Sequence, residues 1–462
     1  MTKPNIVLIL MDDLGWRDLG CYGSTFYETP NLDRLASRSV HFSNAYAACP
    51  VCSPTRASIL SGKYPARVGL TNYIGGDARG KLLDAPYTRH LPLSEVSLAK
   101  ALHEGGYATW HVGKWHLGGR DYYPDRHGFG VNIGGCDWGM PNHGYWSPWG
   151  IPTLTDGPKG EYLPDRLTDE AIRLIQHGDG RPFFLNYWDY CVHIPIQAKA
   201  DKIAKYEAKA QAMGLDRRPT FAEGEHFPCE HKREQRVTRR LLQSDPAYAA
   251  MIESVDENIG RLLMALEDAG VADNTIVLFT SDNGGLATAE GSPTCNAPLA
   301  EGKGWMYEGG TREPLLIYWP GVTAPGTTCD VPVTSPDLYP TLLEMAGLPL
   351  RPAQHEDGVS LVPLLRGATT LDREAIFWHY PHYGNQGGTP GSAVRAGDWK
   401  LIEFLEDGRL ELYNLREDIA EEQNRAAELP RLTARLQQML ADWRVSVEAE
   451  MPLPNPDYVP KL

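Results

Sequence analysis

Long apolar runs are missing from this chain. No stretch of about 20 apolar residues occurs, so no membrane span is expected. Yet 42% of the 462 residues are hydrophobic, enough for a sizeable core. Positive charge is also short: 44 Lys and Arg face 59 Asp and Glu, for a net charge of −15. With no basic stripe, nucleic acid is not an expected partner. The acidic balance argues against gripping a polyanion over a broad surface, though a local cluster of cations could hold a small anion. Cysteine is sparse, with eight residues scattered from Cys21 to Cys329. That is not the framework of a small disulfide scaffold. Cys49 and Cys52 form one C-x-x-C, but no second pair at matching spacing completes a zinc site, and no small thioredoxin-like unit surrounds it. Internal repeats are absent. The opening "MTKPNIVLILMDDLGW" lacks the marks of a signal peptide, because Asp12 and Asp13 interrupt its apolar run and no small-residue cleavage site follows. The expected location is cytoplasmic, or periplasmic if a leader has been removed.

What is present is an alternation of helix and strand. "NIVLIL" reads as a buried parallel strand, and "YATWHVG", "PFFLNYW" and "NTIVLFTS" read likewise. Amphipathic helices are expected in "TPNLDRLASRS", "SLAKALHE", "DRLTDEAIRLIQHG" and "YAAMIESVDENIGRLLMALEDAG", the last stopped at Gly270. This pattern predicts an α/β fold, with a large, mostly parallel mixed sheet flanked by helices. Residues 197–245 are a charged insertion, expected to be helical surface decoration. From about Arg373 the pattern changes to short strands with turns and a final helix. Residues 1–370 are therefore expected to form the main domain. Residues 371–462 would form a smaller antiparallel sheet with a helix and a proline-rich tail.

Ligands in such folds bind beyond the carboxyl ends of the strands. Four strands here end in polar residues: "DD", "KWH", "YCVH" and "SDNG". Asp12, Asp13, Asp282 and Asn283 offer hard oxygen ligands suited to Ca²⁺ or Mg²⁺ rather than Zn²⁺. Either pair alone also suits turns and helix caps; both at strand ends favour a metal. Lys114, His116, His193 and Lys303 form a second set. Strand alternation is expected to put Lys114 and His116 on one face. Cations beside a divalent metal repel it unless an anion lies between, which points to a tetrahedral, oxygen-rich substrate group. Pro54 and Gly62 bracket a helix with Cys52 at its N-terminus, where the dipole favours negative charge, and Arg56 one turn on. A buried cysteine capping that helix is the plain alternative.

Cys52-Ser53-Pro54-Thr55-Arg56 matches the C-x-P-x-R signature of the type I sulfatases of the alkaline phosphatase superfamily, and the match runs on through "ASILSGKYPARVGL". It extends to "NIVLILMDDLGW", "YATWHVGKWHLG", "VHIPIQA", "VLFTSDNGG" and "GKGWMYEGGTREPLLIYWPG", in the family's order over almost the whole chain. The resemblance implies an alkaline-phosphatase-like core and a Cys52 oxidised to formylglycine by a formylglycine-generating enzyme. By matching position, Asp12, Asp13, Asp282, Asn283 and residue 52 would bind Ca²⁺. Arg56 and Lys114 would support the aldehyde hydrate as an oxyanion. His116 would be the base, and His193 with Lys303 would bind sulfate and protonate the leaving oxygen. The small polar sulfate contact after "GF" has no clear match at Cys136 or Asp137.

Two aromatic segments are expected as substrate walls: "CDWGMPNHGYWSPWG", with Trp138, His143, Tyr145, Trp146 and Trp149, and "WHYPHYGNQGGTPG", with His379, His382 and Tyr383. Packing on the core explains such residues equally well. "SPTCNAPLAEGKG" and "TPGSAVRAGDWKLIEF" resemble the bacterial branch of galactose and N-acetylgalactosamine 4-O-sulfatases, and arylsulfatase A-like enzymes. The expected substrate is a sulfated mono- or oligosaccharide, with exo-removal of sulfate from a galacto-configured sugar. The alternatives are an aryl sulfate for a promiscuous arylsulfatase, a phosphate or phosphonate ester, and a non-catalytic glycan binder with Cys52 left as a thiol.

Overall fold

The computed structural model describes residues 3–460. Fifteen strands occur among them: β1 Asn5–Met11, β2 Val40–Tyr46, β3 Ala108–Gly113, β4 Val131–Ile133, β5 Phe183–Trp188, β6 Phe221–His226, β7 Arg236–Arg240, β8 Thr275–Ser281, β9 Arg312–Tyr318, β10 Thr327–Cys329, β11 Val333–Thr334, β12 Ile376–Tyr380, β13 Gly391–Ala396, β14 Trp399–Phe404 and β15 Leu410–Asn414. The main sheet runs β10-β2-β9-β8-β1-β5-β3-β4, with β11 also on β2. All its pairings are parallel except those that β9 makes with β2 and β8.

The central strands are buried on both faces, which is why they read as unbroken apolar runs. Along β1, Val7, Ile9 and Met11 enter one core, while Ile6, Leu8 and Leu10 enter the other. Helices Pro30–Ala36, Leu163–Gln176 and Pro246–Asp268 cover the first face. Helices Cys52–Ser61, Leu98–Glu104 and Leu338–Met345 cover the second. The fold is thus three layers, helix–sheet–helix. The expected second sheet is also present: β12 to β15 form an antiparallel meander, backed by helix Pro430–Ser446.

Two expectations need correction. Residues 197–245 are not wholly helical: helix Ala200–Ala212 is followed by the β6–β7 hairpin. Nor are they mere decoration, since Tyr206 is fully buried and Phe227, Cys229 and Val237 enter a core cluster with Trp305. The proline-rich tail, as far as residue 460, is held by backbone hydrogen bonds to the 81–83 segment. Leu83 N–H donates to Leu453 O at 2.7 Å, and Asn455 N–H to Lys81 O at 2.9 Å. The last two residues of that tail, Lys461 and Leu462, lie outside the described residues.

Candidate active site

Strands β8, β1, β5 and β3 are parallel neighbours, so their carboxyl ends lie side by side. The residues just beyond them are Asp282–Asn283, Asp12–Asp13, Tyr190–His193 and Lys114–His116. The structure brings these four groups together, and helix Cys52–Ser61 joins them from the second face.

Cys52 is the first residue of its helix, after the extended Val51, and Gly62 closes it with φ 69°. The Cys52 thiol lies 3.2 Å from His116 Nδ1. His116 Nε2 is 3.2 Å from the Ile74 carbonyl, which can only accept, so Nε2 carries the proton. Nδ1 is therefore the open lone pair, and it faces position 52. Burial pulls His116 well below the usual histidine range, and Lys114, Arg56 and Lys303 add to that. The ring is neutral.

Lys114 and His116 converge, but not through strand alternation. Strand β3 ends at Gly113, whose φ is 103°, and His116 itself has φ 55°. A turn with two left-handed residues places them. Asp13 likewise has φ 61°. Such backbone in non-glycine residues costs about 1–3 kcal/mol each and clusters at functional sites.

Three buried carboxylates meet three buried cations. Lys114 Nζ donates to both Asp12 oxygens at 2.8 and 2.7 Å. Arg56 Nε donates to Asp282 Oδ2 at 2.8 Å and its Nη1 to the Lys114 carbonyl at 3.1 Å, with its guanidinium 5.1 Å from the Trp188 ring centroid. Lys303 Nζ donates to Asp13 Oδ2 at 2.7 Å and to His193 Nε2 at 3.0 Å. The other His193 nitrogen, Nδ1, donates to Ile194 O at 2.9 Å. Burial would lower Lys303, but Asp13, Cys52, Asp12 and Glu290 together hold the ammonium above its ordinary range. Burial and Lys303 keep His193 neutral, against Asp13. Burial would raise Asp13, yet Lys303, and Lys114 behind it, hold it well below the carboxylate range.

These residues fit a hard divalent cation. Oxygens of Asp12 and Asp13 and a nitrogen of His193 lie within 4.8 Å of one another. Asn283 Nδ2 donates to Asp13 Oδ1 at 2.8 Å, while its Oδ1 is buried with no donor. An orphaned acceptor beside clustered carboxylates is the chemistry of an oxygen-ligand metal site.

The expected substrate walls divide. Gly139 packs on the His116 ring, where a Cβ would stand 2.7 Å from Cε1. Trp138 and His143, on that segment, meet edge to face at 5.7 Å, half-buried and exposed respectively. Trp146 leans on Tyr162 at 4.7 Å, and Tyr145 and Trp149 are core. His382 does not reach the wall: it is fully buried, with Nε2 on Thr71 Oγ1 at 2.8 Å and Nδ1 on Asp84. His379 and Tyr383 are likewise turned inward. The Cys136 thiol meets Tyr190 rather than residue 52, and Asp137 accepts from Tyr123. The sequence reading missed the Ile74 carbonyl, a backbone group with no residue signature, and the Trp188 face under Arg56.

The sulfatase family model matches residues 4–348. A second model, described as N-sulphoglucosamine sulphohydrolase, C-terminal, matches residues 301–446. A sulfatase of Formosa agariphila is 33% identical, over 99% of this chain and 94% of its own. Human arylsulfatase A is 33% identical, over 87% of this chain and 75% of its own. Human N-acetylgalactosamine-6-sulfatase is 33% identical, over 81% and 68%. The crystal structure of Ps i-CgsB matches with a TM-score of 0.76 and 28% identity, covering 96% of this chain and 93% of that one. This family generally uses formylglycine and a metal ion. On these matches the chain belongs to the sulfatase family and is a sulfuric ester hydrolase.

Proposed function

We propose that this sulfatase removes sulfate from the end of a galacto-configured sugar, taking 4-O-sulfated N-acetylgalactosamine or galactose. Asp12, Asp13, Asp282 and Asn283 would hold Ca²⁺, and a formylglycine-generating enzyme would convert Cys52. The observation that carries the chemistry is the 3.2 Å contact between position 52 and the open Nδ1 of His116. A bound divalent cation supplies Lewis acidity, lowering the pKa of a coordinated hydroxyl and polarising the sulfate. The hydrated aldehyde at residue 52 supplies two hydroxyls, one to attack sulfur and one to be deprotonated afterwards.

The chain's own groups divide the remaining work. Arg56 and Lys114 hold positive charge at the base of the site. His116 Nδ1 takes the proton from the second hydroxyl of residue 52. Lys303 offers its ammonium to a sulfate oxygen. It also supplies the proton that the departing alkoxide needs, handed on through His193 Nε2 at 3.0 Å, and the pair regains a proton from solvent. Charge balance supports an anionic substrate. Three carboxylates and three cations cancel, so a divalent cation leaves two positive charges, matched by a sulfate monoester and one ionised hydroxyl.

Trp138 and His143, on the segment whose Gly139 packs on the His116 ring, would give a sugar its aromatic face and polar neighbour. Relatives named for N-acetylgalactosamine, and a Ps i-CgsB structure in complex with k-i-k-neocarrahexaose at TM-score 0.75, support a carbohydrate ester. A second reading, 6-O-sulfate, is favoured by the name of the human relative. Sulfate released from 4- and 6-sulfated N-acetylgalactosamine and from one aryl sulfate decides between them. Release confined to the 4-sulfate supports the proposal; release confined to the 6-sulfate or the aryl sulfate overturns it.

A further inference from the structure

A cleft of about 770 Å³ adjoins the site, within the size range of small-ligand pockets. Its inner wall is the Tyr73–Gly75 segment, in which the Ile74 carbonyl accepts from His116 and the Ile74 N–H donates to the Ser53 hydroxyl at 3.2 Å. Asn385 also lines it, donating to the Tyr73 hydroxyl and accepting from His231 Nε2 at 2.8 Å. The next residue, Gln386, packs on Gly304, the neighbour of Lys303. The pinned C-terminal segment adds Asp457 to the rim. The cleft thus lies one wall away from His116, through Ile74, and from Lys303, through Gly304 and Gln386.

Its charge is informative. Two guanidiniums, Arg79 and Arg233, face four carboxylates, Asp77, Asp84, Glu230 and Asp457. Arg79 is paired with Glu230 at 2.9 Å. Two cations outside the lining are also engaged, Arg89 with both Asp77 oxygens at 2.7 Å and Lys232 with the Asn385 carbonyl at 2.8 Å. A uronate or a second sulfate needs a surplus of positive charge, and this wall has none. What it offers instead is hydroxyl chemistry: a phenol, an imidazole and a carboxamide in one hydrogen-bonded string.

We propose that this cleft binds an uncharged sugar unit joined to the sulfated one, so that the enzyme selects sulfated oligosaccharides with neutral neighbours over those alternating with uronic acids. The inference rests on the sulfate-ester reading of the site. The test uses full-length protein with residue 52 converted, and four esters: a sulfated monosaccharide, the same sugar linked to galactose, the same sugar linked to a uronic acid, and an aryl sulfate. The galactose-linked ester should exceed the monosaccharide in kcat/KM by about tenfold, equivalent to about 1.4 kcal/mol, and the uronate-linked ester should show no gain. His231→Ala, on an exposed turn, should cut that gain severalfold. Asp457→Lys, on the exposed rim, should raise the uronate-linked ester relative to the galactose-linked one. A preference for the uronate-linked ester, no gain from galactose, or a gain untouched by both substitutions overturns the inference. Release from the aryl sulfate shows in each case that the chemistry stands; no release from any of the four overturns the sulfate-ester reading as well.

Discussion

Lys114→Met probes how the buried charges are balanced. The Lys114 ammonium lies 2.8 and 2.7 Å from the two oxygens of Asp12, and both side chains are wholly shielded from solvent. Methionine keeps most of the volume and removes the charge. The next cation, Arg56, stands 3.7 Å from Asp12 and is already committed to Asp282 at 2.8 Å. Removing one partner of a buried pair costs about 3–5 kcal/mol. At about 2.1 cal/mol/K per residue, a 462-residue chain has an unfolding entropy of about 1 kcal/mol/K. Chelator-treated variant should therefore melt about 3–5 °C lower. The loss carries a pH signature. Burial pushes the Asp12 carboxyl up, Lys114 opposes it, and Asp282 and Asp13 push further. Without Lys114 the folded-state pKa rises again, while the unfolded value stays near about 4. A carboxyl with a raised folded pKa loses stability as pH climbs from the unfolded value through the folded one. The deficit relative to the parent should thus widen with pH, by up to about 1.4 kcal/mol per unit. Added Ca²⁺ supplies the missing charge and should stabilise the variant more than the parent. Scanning calorimetry between about pH 5 and about pH 8, with chelator and with Ca²⁺, reads all three effects. A deficit under about 1 kcal/mol that does not grow with pH would refute the reasoning.

Asn283→Ala removes the buried, donorless Oδ1. Its Kd for Ca²⁺, titrated calorimetrically on stripped protein, should rise at least about tenfold; an unchanged Kd removes Asn283 from the ligand set. Away from the site, Lys400 lies 3.0 Å from both Glu308 and Glu421, all fully buried between the two sheets. Burial and Glu308 raise Glu421 to about 7, against Lys400. Its contribution is present below the unfolded value near about 4.5 and is lost as pH rises toward 7, by roughly 3 kcal/mol. Glu421→Gln should flatten the denaturant-midpoint curve over that window, and an unaltered slope counts against the assignment.

The sequence shows the strand ends clearly for a physical reason. Strands buried on both faces, such as "NIVLILM", are apolar until the chain emerges at the site, so the first polar residues after each run mark it. The parallel order β8-β1-β5-β3 then gathers them. Lys114 and His116 are visible as site residues in the sequence, but their route is not. The turn depends on Gly113 and His116 adopting positive φ, which alternation cannot foresee. His382 misleads because its burial is decided by Thr71 and Asp84, some 300 positions away. The β6–β7 hairpin escapes notice because "FAEGEH" is mostly exposed or half-exposed and carries no apolar alternation. The cleft beside the site is gathered from Tyr73, His231, Asn385 and Asp457, a set with no common motif.

The most direct test of the account is inorganic sulfate released from 4-sulfated N-acetylgalactosamine by protein whose residue 52 is shown by peptide mass to be formylglycine, with Cys52→Ala and the matching phosphate ester in parallel. Release should track the converted fraction, fall to background in Cys52→Ala, and outpace phosphate release. Equal turnover by Cys52→Ala, or faster cleavage of the phosphate ester, would contradict the account.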